Sequence, residues 1–181
     1  MRITYLSGMG KQLFLLAICV CLFQCGQPRK SARWLVIGDD LAVGPEGWVA
    51  ELQAQRGGGT ILNVSKAELT ASFGLNRDRE LNASEQVANY LRRAYAEMGG
   101  LNVVVVALGL NDCRDEFLGR DEERVNGYLN LFDRLEAFFD DRGQDRPQII
   151  VTTPPPLPAQ AAGSGFATSA ECLAMLSNNL R

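Results

Sequence analysis

The chain contains no histidine in 181 residues. A Ser-His-Asp or Cys-His mechanism needs an imidazole to take the nucleophile's proton, so neither can run from this sequence as written. Long apolar runs are equally scarce. The most extended one, residues 13–23 (LFLLAICVCLF), falls well short of the roughly 20 apolar residues that a spanning helix requires. A basic stripe is also missing: 18 Lys and Arg are interspersed with 21 Asp and Glu for a formal charge of -3, which excludes the electrostatic footprint of a nucleic-acid partner. No internal repeat is present, and the length suffices for one compact domain plus a leader.

The amino terminus reads as an export signal. Arg2 and Lys11 precede the apolar run, which closes at Gln24-Cys25-Gly26. Met9-Gly10-Lys11 followed by the same run is already a complete short leader, so starts at Met1 and at Met9 are both compatible with it. Leu22-Phe23-Gln24-Cys25 resembles the bacterial lipobox, in which the cysteine after the apolar run is lipid-modified and becomes the first mature residue; Gln24 departs from the small residue usual there. The resemblance implies a signal peptide over residues 1–24, lipidation at Cys25, a short polar tether over residues 25–33, and a domain over residues 34–181. It places the protein outside the cytoplasm, with the membrane as a partner reached through the lipid anchor; simple secretion is the alternative.

Removal of the leader reduces five cysteines to Cys25, Cys113 and Cys172. In an oxidising compartment Cys113 and Cys172 either bridge the third-strand loop to the last helix or remain two small buried hydrophobes, and sequence does not choose between these.

Residues 34–38 (WLVIG) form a short apolar run closed by Asp39-Asp40, the pattern of a strand buried on both faces. A short helix follows Pro45, with Trp48, Val49 and Leu52 on one face, until Gly57-Gly58-Gly59 stops it. Residues 60–64 make a second strand. Ser84 is suited to cap a helix in which Val87, Tyr90, Leu91, Ala94, Tyr95 and Met98 recur at three- and four-residue spacing up to Gly99-Gly100. Residues 101–108 (LNVVVVAL) are the third strand. Val125, Tyr128, Phe132, Leu135 and Phe139 define a second long helix that breaks at Gly143, and residues 148–152 are the fourth strand. Strand and helix alternating with short links imply an α/β fold in three α/β/α layers, a parallel sheet covered on both faces. Ligands of such sheets bind at the carboxyl ends of the strands. Residues 154–165, rich in Pro, Ala and Gly, are expected to loop over that edge.

Gly-Asp or Asn-Asp after a strand is ordinary turn chemistry when taken alone. In this order they say more: Gly38-Asp39-x-Leu41-x-x-Gly44 after the first strand, Asn63 and Thr70 bracketing the second loop, Gly109-x-Asn111-Asp112 after the third strand, and a double proline after the fourth. Together, from residue 34 to about residue 158, they resemble the SGNH (GDSL) hydrolase family. The resemblance implies a flavodoxin-like sheet and cleavage of esters by a serine at the position held here by Asp40. It implies an oxyanion hole made of the backbone N–H of that residue, a glycine N–H in the second loop, and the Asn111 side chain. A carboxyl-terminal Asp-x-x-His supplies the general base, after one further strand.

The chain departs from that pattern at each catalytic element. Asp40 stands at the nucleophile position, where attack on an ester gives an anhydride-like intermediate with no base to clear it. Glu68 or its neighbour stands at the second-loop glycine, without glycine's freedom at positive φ; a carboxylate there repels a developing oxyanion by about 1 to 4 kcal/mol at about 4 Å. The chain reaches Leu180-Arg181 inside what reads as a helix, before any Asp-x-x-His segment. The expectation is therefore an envelope-anchored protein of this fold that does not turn over esters and at most binds an acyl or sugar-ester ligand. The alternative is an active ester hydrolase whose Asp-x-x-His segment is lost from this chain. Neither a cofactor nor a metal is expected: Asp39, Asp40, Glu68 and Asp112 crowd one cleft and invite a hard cation, but separately solvated turn acids are the favoured reading.

Overall fold

The computed structural model describes residues 32–56, 58–155, 165–166 and 169–179. The expected leader, residues 1–24, lies outside the described residues, as does the expected tether up to residue 31. Four strands form one parallel sheet: β1 (Arg33–Gly38), β2 (Thr60–Asn63), β3 (Val103–Ala107) and β4 (Gln148–Val151), in the order β2-β1-β3-β4. The register aligns Arg33 with Thr60, Trp34 with Val103, and Val103 with Gln148. The first strand starts at Arg33, one residue before the apolar run, because Arg33 pairs with Thr60 and exchanges hydrogen bonds with Asn102.

Period-two alternation divides the strand side chains between two cores. Leu35 and Ile37 of β1, with Val104 and Val106 of β3, enter one buried cluster. Val36, Val103 and Val105 enter a second cluster on the opposite face. The first face is covered by α2 (Ala83–Met98), α3 (Asp121–Asp140) and α4 (Ser169–Asn179), and the second by α1 (Trp48–Arg56). Burial on both faces is what makes the strands read as unbroken apolar runs. Among the described residues no helix is long and apolar enough to cross a membrane.

Two helix details differ from expectation. Asn82, not Ser84, caps α2: its side-chain oxygen accepts from the Ser84 N–H at 3.0 Å and from the Ser84 hydroxyl at 2.8 Å. An Asn accepts the N2 donor as well as a serine does, and it takes the position because Ala83 already donates to the Thr70 carbonyl. The helix ends at Gly99, whose φ of 70 places it in the left-handed region. In α3 the buried stripe runs through Arg124, Tyr128, Leu131, Leu135, Phe138 and Phe139, whereas Val125 is half-buried. Strand β4 is an edge of the sheet among the described residues; Ile149 and Ile150 are half-buried there and Val151 is 37% exposed.

A disulfide joins Cys113, in the turn after β3, to Cys172 in α4, with Cα atoms 5.6 Å apart across 59 residues of sequence. Closing a loop of that length restricts the unfolded chain by about 4 kcal/mol in the chain-entropy treatment. The double variant Cys113→Ala, Cys172→Ala should therefore lose about 3–4 kcal/mol of stability in urea unfolding, with an unreduced parent as the reference. A loss below about 1 kcal/mol would show that the bridge restrains little.

Candidate functional site

The carboxyl ends of β1, β2 and β3 bring together the expected site residues. Gly38 is required where β1 ends: a Cβ there would lie 2.7 Å from the Ala42 Cβ and 2.8 Å from the Ser65 hydroxyl. Its carbonyl accepts from the Lys66 N–H at 3.2 Å, which draws the second loop against the first. Asn63 strengthens this contact by donating to the Ala42 carbonyl at 2.8 Å and accepting from the Ser65 N–H at 3.1 Å. Gly44 turns the chain at a φ of 78 after the single 3-10 turn Asp40–Ala42. Gly109 adopts a φ of 128 and passes so close to its neighbours that a Cβ would meet the Tyr128 hydroxyl at 3.0 Å and the Pro154 ring at 3.3 Å.

The four acids do not behave as one cluster. Asp39 is 2% exposed, and its carboxylate accepts from the N–H groups of Leu41 and Leu110, each at 3.3 Å. Burial pushes this carboxyl up to about 6 against the pull of those two N–H donors. Asp112 is fully buried and accepts from the Ala71 N–H at 2.9 and 3.1 Å and from the Ser72 N–H at 3.0 Å. Burial raises it to about 6 as well, opposed by those N–H groups and by the Arg124 charge. Asp40 and Glu68, by contrast, are exposed. The expectation of separately solvated turn acids is thus corrected for Asp39 and Asp112: each is withdrawn from water and held by backbone donors. Among the described residues no group of three or more His, Cys, Asp or Glu side chains could hold a metal ion.

Glu68 has a φ of 62, so the second loop keeps the left-handed turn expected of a glycine although a side chain stands there. Such a conformation costs roughly 1–2 kcal/mol in a residue with a Cβ. Its N–H donates to Asp40 Oδ2 at 3.0 Å. Asn111, 2% exposed, donates from Nδ2 to the same oxygen at 2.6 Å and to the Leu69 carbonyl at 3.3 Å. The Glu68 carboxylate itself is engaged by Arg114, Nη1 to Oε1 at 3.8 Å. The carboxylate facing the two donors therefore belongs to Asp40, not to Glu68.

Arg124 and Arg114 carry no reading from sequence, and Trp48 is read there only as part of a packed helix face. Arg124, 2% exposed, donates from Nε to the Asp112 carbonyl at 2.8 Å and from Nη2 to the Phe117 carbonyl at 3.0 Å, and it bonds Asp121. Its spacing from Tyr128, Leu131 and Leu135 places it on the buried stripe, and that periodicity was the available signal. Arg114 had no such signal. Trp48, assigned from sequence to a packed helix face, also lines a cavity of 560 Å³ together with Asp39, Leu41, Glu46, Thr152 and Pro154. Of the proline-rich loop expected over this edge, Pro154 and Pro155 line the same cavity and residues 156–164 lie outside the described residues.

Because folding raises the Asp39 carboxyl from 3.8 to about 6, the folded state holds a proton that the unfolded state releases. That contribution is complete below the unfolded value and is lost as pH rises through about 6. The stability advantage of the parent over Asp39→Asn, which cannot titrate, should shrink by up to about 3 kcal/mol between pH 4 and pH 7 in urea unfolding. An advantage that grows with pH would mean that Asp39 is held as the anion.

No family model and no curated protein sequence matches the chain. Solved structures do. A carbohydrate acetylesterase from Sinorhizobium meliloti superposes with a TM-score of 0.61 at 24% identity, covering 82% of this chain and 79% of that one. A putative arylesterase from Agrobacterium tumefaciens gives 0.63 at 20% identity over 81% and 77% of the two chains. The aryl esterase of M. Smegmatis gives 0.62 at 20% identity over 82% and 79%. Likeness at this level of identity concerns the backbone and not the chemistry. Taken with the strand-end residues, it shows that the chain has the SGNH (GDSL) hydrolase-like fold.

Proposed function

We propose that this chain is an envelope-anchored SGNH-type protein that has lost ester hydrolysis and acts as a binding module. The observation that carries the reading is Asp40: a carboxylate stands at the nucleophile position, and its Oδ2 accepts from the Glu68 N–H and the Asn111 amide, the donors that would otherwise stabilise a developing oxyanion. A carboxylate engaged by two donors is a poor nucleophile, and an acyl-aspartate would be an anhydride-like species with no imidazole in these 181 residues to activate the water that clears it. Loss of one triad member typically removes about 10⁶ in turnover in a serine enzyme. The alternative, an active esterase completed by an Asp-x-x-His segment, still requires the serine that Asp40 replaces.

The guest is an acyl or sugar-ester compound, a reading supported by the carbohydrate acetylesterase and arylesterases that share the fold. The cavity of 560 Å³ beside Asp39 falls within the usual range for small-molecule sites, and Trp48 and the two prolines give it flat apolar walls. Glu46 and Thr152 also line it, a carboxylate and a hydroxyl with which sugar hydroxyls could hydrogen-bond. The lipobox-like Leu22-Phe23-Gln24-Cys25 supports anchoring at the membrane.

The mature parent should hydrolyse p-nitrophenyl acetate no faster than buffer; turnover above about 1 s⁻¹, the low end for working enzymes, would refute the loss of catalysis. Metabolic labelling with a fatty acid should mark the parent and spare Cys25→Ala, and equal labelling of both would exclude lipidation at Cys25.

A further inference from the structure

The second loop is strained, yet it is held in place. Glu68 sits at a φ of 62 with a side chain that disfavours it, in a turn closed by the Leu69 N–H to Lys66 carbonyl bond at 3.3 Å. At the strained residue itself the outside contact is Asp40 Oδ2, one oxygen receiving the Glu68 N–H at 3.0 Å and Asn111 Nδ2 at 2.6 Å. Three segments meet on that atom: the turn after β1, the loop after β2 and the turn after β3. Asn111 is buried and prepositioned by its second bond to the Leu69 carbonyl, so its amide points at the oxygen before any ligand arrives. Asp40 itself is exposed, so solvent and small solutes reach the site from outside.

We propose that the donor pair is a carboxylate-binding site whose resident ligand is the Asp40 side chain, an acetate tethered to the backbone. A CH₂–COO⁻ group differs from acetate only in the bond to the Cα, and anchoring it there removes most of the entropic cost that a free anion would meet on binding. Charge-assisted bonds from an N–H and an amide are of the stronger kind, which explains how one oxygen can fix a strained loop. The consequence is twofold. The site is closed to the carbonyl of an ester guest, which must lie in the neighbouring Trp48 cavity, and the side chain that closes it is also a brace for the second loop. This assignment deepens the binding-module reading and rests on it.

The size of the resident group makes the assignment testable by chemical rescue. Asp40→Gly deletes CH₂–COO⁻ and leaves an acetate-sized vacancy, whereas Asp40→Ala keeps the Cβ and leaves one the size of formate. Both variants should melt below the parent. In 100 mM acetate Asp40→Gly should regain about 2–4 °C over the same ionic strength of chloride, and Asp40→Ala should respond more to formate than to acetate. The parent should show no shift with either anion, because its site is filled. Acetamide, which has the shape of acetate without its charge, should rescue Asp40→Gly less. Should one variant be unfolded in chloride, anion-dependent recovery of its far-UV circular dichroism reads the same selectivity, and the other variant remains as a melting test. Equal responses of both variants and the parent to both anions, or none beyond chloride, would overturn the assignment. The two readings fail separately: ester turnover by the parent with rescue intact removes only the binding-module reading, and an inert parent without rescue removes only the tethered ligand.

Discussion

The far end of the second loop is anchored from below by a buried carboxylate. Asp112 is fully excluded from water, and its two oxygens receive the N–H groups of Ala71 and Ser72, donors that would otherwise be buried without partners. Its own carbonyl is in turn held by Arg124, a guanidinium that α3 carries into the core and that also bonds the Phe117 carbonyl. From that anchor the rest of the loop follows. Thr70 next door pairs with the Asn82 region at the start of α2, through Thr70 N–H to the Leu81 carbonyl at 3.0 Å and Ala83 N–H to the Thr70 carbonyl at 2.9 Å. Glu68, just upstream, is thereby left with its N–H aimed at the end of β1.

The strand ends gather negative charge into two kinds of place. Asp39 and Asp112 lie beneath the surface, where burial favours their neutral forms and backbone donors partly offset that preference. Asp40 and Glu68 lie at the surface, each with a partner: the donor pair for one, Arg114 for the other. In this chain the Glu68 N–H and the Asn111 amide are both taken by a carboxylate that belongs to the chain itself.

Much of this was legible in the sequence, for identifiable reasons. Strands buried on both faces write themselves as runs such as WLVIG and VVVVA, and Gly38, Gly109 and the double proline mark close approaches that tolerate little else. The order of motifs narrows the second-loop glycine position to Glu68 or its neighbour, and the positive φ of Glu68 is the backbone fact that chooses between them. What sequence could not deliver were relations between side chains far apart in the chain. Nothing local shows that Asp40 reaches Asn111 or that Asp112 reaches Ala71, since those contacts depend on three loops ending at one height. Arg124 is hard to read from sequence because apolar periodicity favours Val125, one step along the helix, over a charged residue on the same stripe. Asn82 was displaced by Ser84 as the cap for a similar reason: both residue types suit the position, and only the bridge from Thr70 to Asn82 sets the helix start.

Strand β4 has a further consequence. Its four residues, Gln148-Ile149-Ile150-Val151, carry no charge and no proline, and among the described residues its outer side has no neighbouring strand. Proteins usually guard such a border with a lysine, a short strand or a kink, because an unguarded row of amide and carbonyl groups templates the addition of any extended peptide. In this chain the guard is brevity: the border is four residues long, and Ile149 and Ile150 within it are half-buried against the sheet, which limits the length over which an added peptide could pair.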